Sequence, residues 1–187
     1  MIKSNVKIFT PINLIGFILV MVAGWVDAVG FFLFLNERSS FMTGRAAELG
    51  KCIFYGETQG IKFLLLIVLS FILGAYISAS ITRKIGLSYG LFFAGSILII
   101  SSFISFQGNM AIDIILITIP MAMGGQNAAT GLTDIKCTTH LTGPATNIGI
   151  HIAKGDWNSV IFWILRWIGF PTGAIMAHQL MHVFKSN

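Results

Sequence analysis

The chain has 187 residues, 55% of them hydrophobic and only 10% charged, where an average soluble domain carries about 25% charged residues. So few charges cannot cover a soluble globule of this size, whereas a bilayer asks for no such cover; the composition indicates an integral membrane protein. The net charge of +5 comes from 12 basic residues scattered among connecting segments. With no basic run and no interleaved aromatic platform, a nucleic-acid partner is not expected, and the charge is read as orienting the chain.

The opening MIKSNVKIFTPIN places two Lys before an apolar run, which superficially resembles a signal peptide. No small-residue cleavage site followed by a soluble domain appears, so the segment is read as a retained first span. A helix crossing about 30 Å of hydrocarbon needs roughly 20 mainly apolar residues. Five segments meet that need: 12–35, 61–82, 87–106, 111–130 and 158–184. Arg83-Lys84 with Gly86 separates the second from the third, and Gln107-Gly108-Asn109 the third from the fourth. The expected fold is an all-α, polytopic membrane helix bundle forming a single domain over 1–187.

Two longer connections, 36–60 and 131–157, interrupt the apolar pattern with nearly the same phrase. Residues 39–50 read SSFMTGRAAELG and residues 138–149 read TTHLTGPATNIG, 99 positions later. The flanking spans match too: GWVDA at 24–28 with GGQNA at 124–128, and FILGA at 71–75 with FPTGA at 170–174. Three blocks in the same order mark an internal duplication. Repeat one covers 12–106 with three spans; repeat two covers 111–184 with two, its third missing. A unit of three spans is odd, so the second copy enters from the opposite side, an inverted-topology repeat. Either the last helix has been lost or a neighbouring subunit fills its place, which suggests a homodimer.

Five spans put Lys3, Lys7, Arg83, Lys84, Lys136 and Lys154 on one side, and Arg38, Arg45, Lys51, Lys62 and Lys185 on the other. If Arg45 and Lys51 are drawn into the membrane, the balance places the N-terminus in the cytoplasm.

Each repeated phrase reads as a short helix starting at Thr-Gly, with Thr43 and Thr142 as N-caps and Pro144 suited to a first turn. Two readings stand. Re-entrant helices would bring both positive N-terminal ends to the midplane, where an anion or polar acceptor binds. Interfacial helices would lie on the surface with Thr-Gly as an ordinary capping turn.

Polar residues inside spans are the second signal. Asp27 lies near the middle of the first span and corresponds to Asn127, beside Gln126; Arg166 lies within the fifth, between Trp163 and Trp167. An ionised side chain at mid-membrane costs at least about 2.5–3.5 kcal/mol unless paired or hydrated. Asp27 with Arg166 is the most economical pair, and Glu48 is the rival partner for Arg166. The pair is either a structural lock or a substrate or proton site. The candidate solute-binding set is Asp27, Thr43, Gly44, Arg45, Gln126, Asn127, Thr142, Gly143 and Arg166.

Other residues speak more softly. His140 and His151 flank the second Thr-Gly, opposite Phe41 and Cys52 of the first copy, and His140 offers a proton-sensitive group. His178 and His182 share a helical face but lack a third ligand, so no metal is expected. Cys52 and Cys137 are either a single bridge or two free thiols. Gly74 and Gly173, with Ala75, Ser78 and Ala174, suit close helix packing. There is no Walker-type loop, no Gly-x-Ser-x-Gly elbow, no His-Glu-x-x-His and no usefully spaced carboxylate pair. No enzymatic activity and no cofactor are expected, and any transport is facilitated or driven by an ion gradient.

GWVDAVGF, FMTGRAAELG, GGQNA and HLTGPATNIG together resemble the bacterial YoaK-like family of transmembrane proteins, which has no assigned function; the resemblance covers nearly the whole chain. It implies residence in the bacterial inner membrane and about six spans, so that this chain is short by one. Arg45 departs from the resemblance, which has Asn after Thr-Gly, and adds a charge at the candidate site. The expected function is a small transporter or facilitator for a small polar or anionic solute. A non-transporting scaffold or partner-binding subunit is the alternative, ahead of a membrane enzyme acting on a lipid or quinone.

Overall fold

A computed structural model describes residues 9–33, 41–105 and 111–186. Lys3, Lys7, Arg38 and the Gln107-Gly108-Asn109 turn lie outside the described residues. Among those described there are seven helices and no strand: α1 (Pro11–Leu33), α2 (Met42–Tyr55), α3 (Thr58–Ile85), α4 (Leu87–Ser105), α5 (Ala111–Gly131), α6 (Thr142–Ala153) and α7 (Trp157–Ser186).

Local chemistry sets the ends. Pro11 opens α1, where its missing amide costs nothing, and the Thr10 hydroxyl accepts from the Asn13 amide at 3.3 Å. The short helices α2 and α6 end in matching turns. Gly56 (φ 69°) and Gly155 (φ 66°) adopt the left-handed conformation that glycine permits. Just beyond, the Glu57 amide returns to the Cys52 carbonyl at 2.9 Å, and the Asp156 amide to the His151 carbonyl at 3.0 Å. The side chains repeat the link: Cys52 Sγ donates to Glu57 Oε2 at 3.5 Å, and His151 Nδ1 lies 3.2 Å from Asp156 Oδ2. Both thiols are free, Cys52 buried and Cys137 exposed, so the bridge left open by the sequence is not formed.

Among the described residues, four stretches are long and apolar enough to cross a membrane: Pro11–Gly30, Thr58–Ile85, Leu87–Ile104 and Trp157–Val183. Their outward faces remain apolar, with Leu69, Ile72, Phe92, Phe103, Ile168 and Ile175 exposed. That is a surface for lipid rather than water. α5, the expected fourth crossing, forms a helix of 21 residues but is not among these four. It packs against α3, α4 and α1. A helix surrounded by protein can carry Gly124, Gly125, Gln126, Asn127 and Thr130 where a lipid-facing one could not.

Two close crossings organise the bundle. Gly24 of α1 presses on the backbone of Phe170, and Gly173 of α7 on that of Met21. Gly124 of α5 presses on the backbone of Phe71, and Gly74 of α3 on that of Met121. All four positions of one crossing correspond to the four of the other at the spacing of the duplicated blocks, 99 or 100 residues. Phe17 over Gly169 and Met21 over Gly173 advance together by one turn, so α1 and α7 run parallel. α4 closes back on the α3–α5 pair, with Ser78 Oγ donating to the Gly90 carbonyl at 3.1 Å and Ser101 Oγ to Thr118 Oγ1 at 2.7 Å. Ala23, Ile67, Ile115, Leu116, Ile119 and Met123 form the buried core where α1, α3 and α5 meet. Each short helix packs on the long helix that follows it, α2 on α3 and α6 on α7.

Candidate functional site

The starts of α2 and α6 face one cavity of about 640 Å³. In α2 the first helical bond runs from the Arg45 amide to the Phe41 carbonyl (3.1 Å), and in α6 from Ala145 to Leu141 (3.0 Å). The amides of Met42, Thr43 and Gly44, and of Thr142 and Gly143, therefore stand outside the helical ladder; Pro144 has none to leave over. Thr43 and Thr142 are not the caps expected of them. The cap positions are Phe41 and Leu141, neither of which makes a side-chain cap bond. Both helices begin earlier than the Thr-Gly pattern suggests, so both threonines fall within the first turn. Their hydroxyls are thereby released from the capping duty.

The lining is symmetric in sequence. Asp27 and Asn127, Phe41 and His140, Met42 and Leu141, Thr43 and Thr142, and Phe71 and Phe170 contribute as five corresponding pairs, joined by Thr139 and Gly143. The cavity thus has aromatic side chains from α3 and α7, hydroxyls from the two helix starts, a carboxylate from α1 and a carboxamide from α5. Among the described residues, Asp27 is the only carboxylate on the lining and His140 its only titratable base. Partial desolvation holds the His140 imidazole, itself exposed to the cavity, below its ordinary value of 6.5, so it is neutral at pH 7.

Asn127 and Gln126 have separate jobs. Asn127 Oδ1 accepts from the Thr138 and Thr139 amides at 3.1 and 3.3 Å, which fixes the carboxamide so that its NH2 points the other way. Gln126 is buried beside the cavity rather than on it. Its Nε2 donates to the Leu19 carbonyl (2.9 Å) and to Thr138 Oγ1 (3.0 Å), tying α5 to α1 and to the segment before α6. Thr130 extends the network, donating to the Gln126 and Asn127 carbonyls at 3.0 and 3.2 Å. Gln126 is therefore a residue that shapes the site and does not line it.

Arg45, Gly44 and Arg166 also lie off the lining. Gly44 packs under the Phe41 ring. Arg45 is buried in the first turn of α2 and donates through Nη1 to Glu48 Oε2 at 2.8 Å, so Glu48 is not the partner of Arg166. Asp27 is not its partner either. The Arg166 guanidinium sits on Gly16 of α1, and Asp27 lies eleven residues further along that helix, about 16 Å at ~1.5 Å per residue. The Phe162 ring lies 5.1 Å from the guanidinium carbon. Charge economy alone paired two residues that the helix places at different depths.

The structure thus gathers Asp27, Thr43, Asn127, Thr142 and Gly143 of the expected set around one cavity, and leaves Gly44, Arg45, Gln126 and Arg166 outside its lining. Reading polar residues alone missed the apolar pairs Phe71–Phe170 and Met42–Leu141. The duplication itself was the signal that could have found them, because Phe71 and Phe170 open the matched FILGA and FPTGA blocks.

No curated protein and no solved structure matches the chain. Residues 15–186 match the family described as a protein of unknown function, DUF1275. With that match covering nearly its full length, the chain belongs to the DUF1275 family.

Proposed function

We propose that the protein is a small membrane transporter or facilitator whose solute occupies the cavity between the starts of α2 and α6. The observation that carries this reading is the lining itself: five pairs of corresponding residues from the two copies, hydroxyl, carboxylate and carboxamide groups among them, converge on one space of about 640 Å³. That volume is in the range of small-molecule sites, roughly 300–1,000 Å³. A polar cavity within a bundle of apolar helices is costly unless something polar fills it.

The two halves read as an inverted repeat. Repeat units of three spans, the parallel α1–α7 pair and the corresponding α3–α5 crossing all support a pseudo-two-fold axis through the cavity. Movement of one half against the other would then open the cavity to either side. The solute is polar, with acceptor oxygens for the first-turn amides and donors for Asp27. Arg45 and Arg166, both in the expected binding set, do not line the space. The reading includes no catalytic step and no cofactor, and it places the chain in a bacterial inner membrane. The scaffold alternative accounts for Gln126 and Thr130, whose bonds are all internal, but it gives no purpose to a lined cavity.

The test is uptake of small polar metabolites into proteoliposomes, alongside a thermal-shift screen of the purified protein against the same set. Saturable uptake and stabilisation by one chemical class, both lost in the Thr43→Val, Thr142→Val double variant, are the expected results. Flux indistinguishable from empty liposomes for every compound would leave the scaffold reading standing.

A further inference from the structure

A second, separate feature has no role in the solute cavity. Arg166 of α7 is buried to 3% exposure, yet among the described residues its Nη2 has no hydrogen-bond partner. Such a guanidinium among apolar helices is costly and calls for an anion. Phe162 offers only the face of its ring. Arg166 also borders a groove of about 220 Å³ between the start of α1 and α7. The walls are apolar, from Phe9, Leu14, Phe17, Phe162 and Leu165, and Thr10 and Asn13 supply the polar end. Gly16 makes room for the cation: any larger residue there would collide with the guanidinium.

We propose that this groove binds the anionic head of a membrane amphiphile, a phosphate or carboxylate, against Arg166. The groove is smaller than the roughly 300 Å³ at which ordinary small-molecule sites begin. It therefore suits a headgroup and the first methylenes of a chain, with the remaining chain in the bilayer. Its place at the first turns of α1 puts it where a helix enters the membrane, the depth at which lipid headgroups lie. Arginine suits the task because its planar fork matches phosphate or carboxylate oxygens two at a time. Free phosphate would share the head chemistry but would leave the apolar walls unused.

The experiment uses the full chain purified in neutral detergent, with thermal stability and native mass spectrometry read in parallel. Phosphatidylglycerol, phosphatidylcholine and inorganic phosphate are the three probes. Phosphatidylglycerol is expected to raise Tm by several degrees and to stay bound in the gas phase, while the other two do neither. Arg166→Gln is expected to abolish both effects. Leu14→Trp, at a residue 61% exposed, keeps the guanidinium but fills the groove, so it should abolish them even if Arg166→Gln fails to fold. Equal stabilisation by phosphatidylglycerol and phosphatidylcholine would overturn the proposal, as would retention of the lipid by Leu14→Trp. A full effect from inorganic phosphate alone would overturn the lipid source.

Discussion

Asn127 shows how one side chain can both build a cavity and face it. Its Oδ1 holds two amides, those of Thr138 and Thr139, whose residues are 1% and 3% exposed. Stranding a buried amide costs about 1–3 kcal/mol. Asn127→Leu is therefore expected to lower Tm markedly in detergent. Asn127→Asp restores the residue found at the corresponding position 27, keeps the acceptor and should recover most of the loss; equal losses would show that the two bonds do not matter. His140 supplies a pH dependence. Its imidazole titrates below 6.5 in the folded chain because partial desolvation opposes the charge, so the unfolded chain binds the proton first. Stability is then expected to be constant above about pH 7 and to fall as pH drops through 6.5 towards the folded value. His140→Phe, which copies Phe41, should flatten that slope in urea or thermal unfolding followed between pH 5 and 8.

At the scale of the element, the glycines separate into two kinds. Gly74 and Gly173 lie against the backbones of Met121 and Met21, where a β-carbon has no room. Ala gains about 0.5–1 kcal/mol over Gly in a helix interior, but overpacking a tight crossing costs about 1–3 kcal/mol. The second effect wins, so Gly74→Ala and Gly173→Ala should each destabilise the protein. Gly50 and Gly149, a corresponding pair in α2 and α6, have nothing within 4 Å. There only the propensity operates, and Gly50→Ala should raise Tm slightly; a reversed order between the two kinds would contradict the packing described here. These elements were largely readable from the chain. Apolar runs placed each long helix within a few residues of its observed ends, because length and hydropathy are what crossing requires. The exact cap positions were not readable: Thr43 and Thr142 look like caps, yet the backbone bonds to Phe41 and Leu141 start each helix before the hydroxyl could act. The partner of Arg166 was also hidden. Opposite charge says which residues would profit from meeting, while helix register decides that the guanidinium meets Gly16 instead.

At the scale of the molecule, the duplicated phrase is the organising fact. Its copies start two short helices on one cavity, its flanking blocks make the two glycine crossings, and the helices it starts end in the paired turns at Gly56 and Gly155. Sequence alone supplied the correspondence between copies but not the walls, since nothing in the matched FILGA and FPTGA blocks says that α3 and α7 bring Phe71 and Phe170 to one cavity. The copies are also unequal: Asp27 corresponds to Asn127 and Phe41 to His140, so the lining has one acid from the first copy and one base from the second. Transport requires this space to be wet and reachable from outside the lipid. Reaction with a membrane-impermeant, charged methanethiosulfonate measures that directly, in a background lacking Cys52 and Cys137. Thr43→Cys and Thr142→Cys in proteoliposomes should react far faster than Leu69→Cys, which lies on the apolar outer face of α3. If both threonine positions react no faster than the Leu69 control, the cavity is dry and the transport reading fails.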